Sequence, residues 1–325
     1  MRQLTAAEAR FLYSDSDHAN SNITLVQIYA PADRAPRLRF KWLLAHVASR
    51  LGLWPPFREK LLRVPFDLDR PWWIEDERFD LEYHVRHIAL PEPGDWRQFC
   101  IQASRIHARP LDMTRPLWEL YLVEGLDSID GLPRHSFAIL CKVHHAAIHL
   151  AEGADLAVLL HDAEPQAGKP SPPEPWFPDE PPEAAPILVR AVANNLFDPL
   201  AALKRVTRSV SQAGPAVLGF AGEAIRHPER FPTARFNAEV SPHRVFETRR
   251  FDVADFERIR RLVRSASIDD VVLAICGGAL RRYLECHEEL PAASLVALAP
   301  QSVHGVAPTQ RRHEDDLHRI ELGTD

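Results

Sequence analysis

Between positions 165 and 186 the chain reads "PQAGKPSPPEPWFPDEPPEAAP", and nine of its 28 prolines fall within that stretch. Each proline fixes φ and removes a backbone N–H, so neither a helix nor an interior strand can run through it. The stretch therefore reads as an extended linker that divides the sequence into separately folding parts. Four regions result: a first domain over 1–164, the linker over 165–186, a helical connection over 187–233 and a second domain over 234–325. A chain of 325 residues is long enough for two domains that each bury a core.

Strand and helix patterns are mixed in the first domain, which gives an α/β class. "NITLVQIYA" is rich in β-branched and aromatic residues and reads as a strand, whereas "LRFKWLLAHVASRLG" has helical apolar spacing and a terminal glycine. "FDLEYHVRHIAL" alternates as a strand or edge segment, and "DWRQFCIQASRIHARPLD" reads as a helix stopped near Pro110. "LWELYLVEGL" follows as a strand, and "SFAILCKV" is a continuous apolar run of the kind found in a buried strand. After it "EGADLAVLLHD" returns to helical spacing. Histidines lie between the last strand and this helix, at the kind of junction where a rigid scaffold presents chemistry.

In the connection, "ILVRAVANNLFDPLAALKRVTRSV" is amphipathic and carries Lys204, Arg205 and Arg208 beside leucines and valines. That pattern fits a helix packed across the domains or a helix lying on a membrane surface. In the second domain "SIDDVVLAICGGALRRYLECH" predicts a helix with Ser267 as N-cap and Asp270 closing an acidic capping box. "SLVALAP" predicts a buried strand, and the chain then turns polar in "TQRRHEDDLHRIELGTD". So few elements do not close a core, and the expectation is an incomplete second domain with a tail like that left by an early stop or a shifted frame.

Composition excludes several classes. Hydrophobic content of 46%, charged content of 26% and a mean hydropathy of −0.24 describe a globular chain rather than a disordered one. A net charge of −6 argues against general nucleic-acid binding, which needs a basic surface. No run of about 18 apolar residues predicts a membrane span, and the charged N-terminus "MRQLTAAEARFLYSDSD" does not resemble an export signal. Cys100, Cys141, Cys276 and Cys286 form no paired motif, and Cys141 and Cys276 are expected as small buried hydrophobes in a reducing cytoplasm.

The histidine block "VHHAAIHLAEG" admits three readings. His145 at a strand end could be a general base, since an imidazole takes a proton from an alcohol or thiol near neutral pH once a second group holds its ring. His145, His149 and Glu152 have helical spacing that could present two nitrogens and an oxygen to zinc, although no H-E-x-x-H is present. Alternatively the histidines are structural, satisfied by backbone groups.

Ordered blocks elsewhere bear on that choice: "RPWWIEDERFDLEYHVRHIALPEPGD", "RPLDMTRPLWELYLVEGL", the histidine block, "RFNAEVSPHR", and "DDVVLAICGGALRRYL" followed by "LPAASLVALAPQSV". With these, from "LTAAEARFL" to about Val303, the chain resembles the bacterial wax ester synthase/diacylglycerol acyltransferases. The resemblance implies the two-domain α/β fold of the CoA-dependent acyltransferases, with a complete N-terminal and an incomplete C-terminal domain. It further implies an active-site motif HHxxxDG, whose histidines match His144 and His145. His145 is then the base that deprotonates diacylglycerol or a fatty alcohol for attack on acyl-CoA, giving triacylglycerol or wax ester, with His144 beside it.

Pro116, Leu117 and Trp118 match a family "PLW" block thought to shape a substrate pocket, although core packing also explains Trp118. Asp270 matches the aspartate of a family "ND" pair whose asparagine is Asp269 here, and the resemblance implies that it supports the site. The family's motif aspartate and glycine are replaced by His149 and Leu150. Those departures keep open a second expectation: an impaired or inactive homologue that only binds lipid or acyl-CoA. The resemblance implies no cofactor and no metal, with acyl-CoA as a substrate. It implies a cytoplasmic location, peripheral on the inner membrane face or on lipid inclusions.

Overall fold

The computed structural model describes residues 1–16, 18–31, 38–148, 159–162, 175–180, 182, 186–190, 192, 234–238, 240–300 and 317–324. Contacts divide the chain into two units: Met1–Ala216 with Pro242–Phe246, and Val217–Ser241 with Glu247–Asp325.

In the first unit β1 (Arg2–Gln3) leads into α1 (Ala6–Ser14). Thr5 and Glu8 close a capping box at the start of α1, satisfying two backbone donors. Then come β2 (Asn22–Tyr29), α2 (Phe40–Ala48), β3 (Glu59–Leu62), β4 (Trp72–Glu75), the one-turn α3 (Leu81–His84) and β5 (Val85–Ala89). α4 (Trp96–Ala108), β6 (Trp118–Glu124), β7 (Phe137–His144) and the one-turn α5 (His145–Ile148) follow. The expected strands and helices of this region are present where the chain is described, except that "FDLEYHVRHIAL" is a strand only over Val85–Ala89; Leu81–His84 forms α3 instead, because the Asp80 side chain caps a helical turn there by accepting from the Glu82 N–H. Of "EGADLAVLLHD" Leu159 and Leu160 are helical and His161 and Asp162 follow them; residues 152–158 lie outside the described residues.

A four-stranded sheet runs in the order β2-β7-β6-β5. β7 is antiparallel to both neighbours, while β5 and β6 are parallel and joined through α4, as a parallel pair requires a crossover. Alternation along β7 sends Ile139, Cys141 and Val143 to one face, where they meet Leu43 and Val47 of α2 and Leu12 of α1. Ala138 and Leu140 face the other way onto Phe99, Ala103 and Ile106 of α4. Helices on both faces explain why β6 and β7 read as unbroken apolar runs despite antiparallel pairing.

Lys142 interrupts the run at 0% exposure, on the α4 side. Its Nζ donates to Ile106 O at 3.0 Å and to Arg109 O, placing a cation where the carbonyls of a helix end carry partial negative charge. Glu119 of β6, also buried, lies 4.0 Å away and accepts from Tyr121 Oη at 2.8 Å.

A second sheet, β1-β4-β3, is antiparallel throughout. Val64, Trp72 and Ile74 form a small core there with Ile187, so the described start of the amphipathic connection packs onto this sheet. Part of the proline stretch lies there too. The Trp176 indole sits under the Arg58 guanidinium at 4.7 Å, and Glu75 accepts from the Asp179 backbone N–H at 2.8 Å. Lys204, Arg205 and Arg208 lie outside the described residues.

The second unit holds α6 (Val253–Arg260), α7 (Ile268–Cys286) and the antiparallel pair β8 (Val296–Pro300) and β9 (Leu317–Glu321). α7 begins with the expected Ser267 and Asp270 capping box. The expected burial of Cys276 is not met: Cys141 is buried, whereas Cys276 is exposed. α7 buries the face that carries Val271, Gly277 and Leu284. Gly277 touches the Leu322 carbonyl so closely that a Cβ would collide. Cys276, one step of about 100° around the helix, points away from that contact.

Candidate active site

The β2 and β7 ladder ends at the pair Asn22 and His144, where the chain turns from strand into α5. Neighbouring segments hold the backbone of the turn from both sides. The His144 N–H donates to Leu117 O at 3.0 Å, and the His145 N–H donates to Ser21 O at 2.8 Å. The two histidines therefore occupy fixed positions at the end of a central strand, as the sequence reading expects.

Their rings differ in setting. His144 is 0% exposed. Its Nδ1 accepts from the Ala146 N–H at 3.1 Å, which puts the ring proton on Nε2, and Nε2 donates to Asp15 Oδ2 at 3.0 Å. The other oxygen of Asp15 accepts from the Ser21 N–H at 2.6 Å. Both ring nitrogens of His144 are thus engaged, and neither presents a lone pair to a substrate.

His145 is half-buried. Its ring lies parallel to Phe11 of α1, with centroids 4.6 Å apart and an interplanar angle of 11°. The Phe11 carbonyl accepts from Ser14 Oγ at 2.8 Å and from Ser21 Oγ at 3.0 Å, which ties α1 to the segment before β2. A ring steadied on one face and partly open to solvent is suited to exchanging a proton with a hydroxyl group.

Beside the pair, Asn22 is buried at 8% exposure, and its carboxamide has no hydrogen-bond partner among the described residues. Asp15, Ser21 and Phe11 are absent from the sequence reading. That reading requires only some second group to hold a base, and nothing in the local pattern of "YSDSDHANSN" marks Asp15 as that group.

The block at 116–118 touches the site through its backbone: Leu117 O holds the His144 amide. Its side chains are in the core, with Pro116 buried and Leu117 and Trp118 at 0% and 1% exposure. Trp118 Nε1 donates to Phe57 O at 3.0 Å, the Trp118 carbonyl accepts from His84 Nδ1 at 2.7 Å, and the two rings stack at 4.6 Å. Burial pushes the His84 imidazole below its ordinary pKa, against the opposing effect of that hydrogen bond.

Asp270 lies in the second unit, where its carboxylate accepts from the Ser267 N–H at 2.7 Å and from Ser267 Oγ at 2.8 Å. These bonds hold its carboxyl below the ordinary carboxylate pKa, the backbone donor contributing most. Asp269 lies beside it in the first turn of α7, where acidic residues favour the helix dipole. His149, Leu150 and Glu152 lie outside the described residues. Among the described residues no group of three or more His, Cys, Asp or Glu side chains could hold a metal ion, and no helix is long and apolar enough to cross a membrane.

The sequence model of the wax ester synthase/diacylglycerol acyltransferase catalytic domain matches residues 4–272. The chain belongs to that family. It is 34% identical over 272 residues to the probable diacylglycerol O-acyltransferase tgs3 of Mycobacterium tuberculosis, a match covering 79% of this chain and 95% of the relative. It is 32% identical over 292 residues to the O-acyltransferase WSD of Acinetobacter baylyi, covering 82% of this chain and 58% of the relative.

The wax ester synthase/diacylglycerol acyltransferase of Marinobacter aquaeolei VT8 superposes with a TM-score of 0.60 at 24% identity, over 92% of this chain and 64% of that one. That likeness bears out the fold of this family of acyltransferases. The chain spans about three fifths of the length of the longer curated relatives it matches.

Proposed function

We propose that this member of the family is an acyl-CoA-dependent O-acyltransferase that makes triacylglycerol from diacylglycerol, with fatty alcohol as a second acceptor yielding wax ester. The observation that carries the reading is the setting of the two histidines at the end of β7. The His144 ring is committed to Asp15 and Ala146, while the neighbouring His145 ring is stacked on Phe11 and partly exposed.

His145 takes the proton of the acceptor hydroxyl as its oxygen attacks the thioester carbonyl. The tetrahedral adduct collapses, the C–S bond breaks, and the imidazolium returns the proton to the departing thiolate of CoA. The ester and free CoA account for every atom. No metal, cofactor or covalent enzyme intermediate is needed. His144 acts as the positioning partner, and the 116–118 block supports it through Leu117 O. Diacylglycerol is a membrane lipid, so the reading includes work at a lipid surface from the cytoplasmic side.

The departures at His149 and Leu150 favour a second reading, an impaired homologue that retains acyl-CoA or lipid binding without turnover. One experiment separates the two. Purified protein receives labelled acyl-CoA with diacylglycerol or fatty alcohol, alongside His145→Ala and a His149→Asp, Leu150→Gly double variant. Ester from the wild type and loss of about 10²-fold or more in His145→Ala support the enzyme. Equal background from wild type and His145→Ala, with turnover appearing only in the double variant, supports the impaired homologue.

A further inference from the structure

The block "RFNAEVSPHR", which the resemblance marks but the proposed chemistry leaves unused, ends in a segment that belongs to the first unit. Pro242–Phe246 clusters with that unit although the residues on either side belong to the second. Its side chains alternate as in an extended strand: Arg244 and Phe246 are half-buried, while Val245 is 100% exposed. Phe246 packs on the α4 side of the large sheet with Val26 and Ile28 of β2. Arg244 reaches the other end of the same strand, where its Nη2 donates to the His18 carbonyl at 2.5 Å.

His18 lies in the loop between α1 and β2, and that loop holds both motif histidines. Asp15 at its start accepts from His144 Nε2, and Ser21 at its end accepts from the His145 N–H. Within it Ser16 and Ala19 exchange backbone hydrogen bonds of 2.8 and 3.3 Å, which present the His18 carbonyl at the turn. The end of the loop is also tied by Ser21 Oγ, which donates to Phe11 O at 3.0 Å, whereas nearer the turn Asn20 Nδ2 reaches Ala108 O at 3.3 Å, longer than the usual mode for an N–H···O bond. The short charge-assisted bond from Arg244 is the stronger kind.

We propose that Arg244 is a positioning residue for acyl transfer, fixing the 15–21 loop so that Asp15 and Ser21 hold the two histidines in register. For catalysis this rests on the acyltransferase reading; for the loop it stands on the contacts alone. Removing the guanidinium frees the turn, the Asp15 contact to His144 fluctuates, and the His145 backbone loses its fixed acceptor. The substrates themselves need not touch Arg244.

The test uses the full chain with Arg244→Met, Arg244→Lys and the exposed-neighbour control Val245→Ser. Hydrogen–deuterium exchange is followed in peptides covering 15–24 and 141–148 and in a reference peptide covering β5. The expected result in Arg244→Met is exchange about tenfold or more faster in the first two peptides, with β5 unchanged, because loss of the tie opens the loop locally. Arg244→Lys, which retains one donor, recovers part of the protection, and Val245→Ser behaves as wild type.

Where the wild type turns over, kcat falls about tenfold or more in Arg244→Met while KM for acyl-CoA stays within about twofold, the signature of lost positioning rather than lost binding. Unchanged exchange in the two site peptides overturns the proposal. So does accelerated exchange across β5 in both Arg244 variants, which would assign Arg244 to the fold as a whole. So, too, does a rise in KM at unchanged kcat. Local loss of protection in a protein whose wild type shows no turnover supports the loop tie and removes the acyltransferase reading, so the two failures are distinct.

Discussion

His144 Nε2 lies 3.0 Å from Asp15 Oδ2, across a separation of 129 residues. Because the Ala146 N–H occupies Nδ1, this contact sets the tautomer of the ring and commits it. The neighbouring His145 is left as the half-exposed member of the pair. An orienting carboxylate is therefore present, supplied from the N-terminal loop and directed at His144.

Replacing His145 by glutamine removes the proposed base and retains a polar side chain against Phe11. Turnover is expected to fall by about 10²–10⁴-fold, with a melting temperature near that of the wild type. Steady-state rates with acyl-CoA and diacylglycerol check this; a variant within a few-fold of wild type would remove His145 from the chemistry.

Asp15→Asn is not a conservative change. The carboxylate accepts from both the Ser21 N–H and His144 Nε2, whereas a carboxamide has one acceptor oxygen and turns an N–H₂ group toward one of those donors. The expected loss is about 1–3 kcal/mol of stability for the unsatisfied donor, with kcat lowered more than KM. Urea denaturation and steady-state kinetics read the two effects, and wild-type values in both would show that the contact does not matter.

Burial depresses the Lys142 ammonium from 10.5 to about 8, against the attraction of Glu119. Between those values the unfolded chain binds more protons than the folded one, so this group makes stability rise with pH, by at most about 1.4 kcal/mol per unit. The gain is complete above 10.5 and is lost as pH falls through about 8. Burial raises the Cys141 thiol from 9.0 to about 12 and the Tyr121 phenol from 10.0 to about 12, and both oppose the rise at higher pH. The clear window for Lys142 is therefore pH 8 to 9. Denaturation at both ends of it should show the rise in the wild type and not in Lys142→Met; equal slopes would assign the pH dependence elsewhere.

Trp118→Ala empties a fully buried site between Phe57, Phe79 and His84. A loss of about 3–5 kcal/mol is expected, visible as a lower denaturation midpoint. Trp118→Phe should lose less, because it keeps most of the ring volume but not the donor to Phe57 O. A Trp118→Ala variant of wild-type stability and altered acyl-chain preference would instead mark Trp118 as a pocket wall.

Local signals made much of the fold legible. "LWELYLVE" and "FAILCKV" are β6 and β7 because a strand covered on both faces needs apolar residues at every step. The start of α7 was readable because Ser267 and Asp270 satisfy backbone donors within one turn. Cys276 was misread because an apolar run shows that some side chains of a helix are buried, not which face meets a neighbour. The small sheet of β1, β4 and β3 has the same cause: "RQ" is too short to carry a period and becomes a strand only by pairing with Trp72 and Trp73.

By itself the sequence determined that a buried strand ends in two histidines and turns into a helix, since that depends on residues adjacent in the chain. The family followed from ordered blocks of the same local kind. Only the tertiary structure decided that His144 is held by Asp15 and that His145 stacks half-exposed on Phe11. That arrangement depends on Asp15, Ser21 and Phe11, which reach the pair when β2 aligns beside β7 and brings the loop before it to the strand end. Hydrogen bonds act over about 3 Å in space and carry no record of distance along the chain, so no local pattern could announce them.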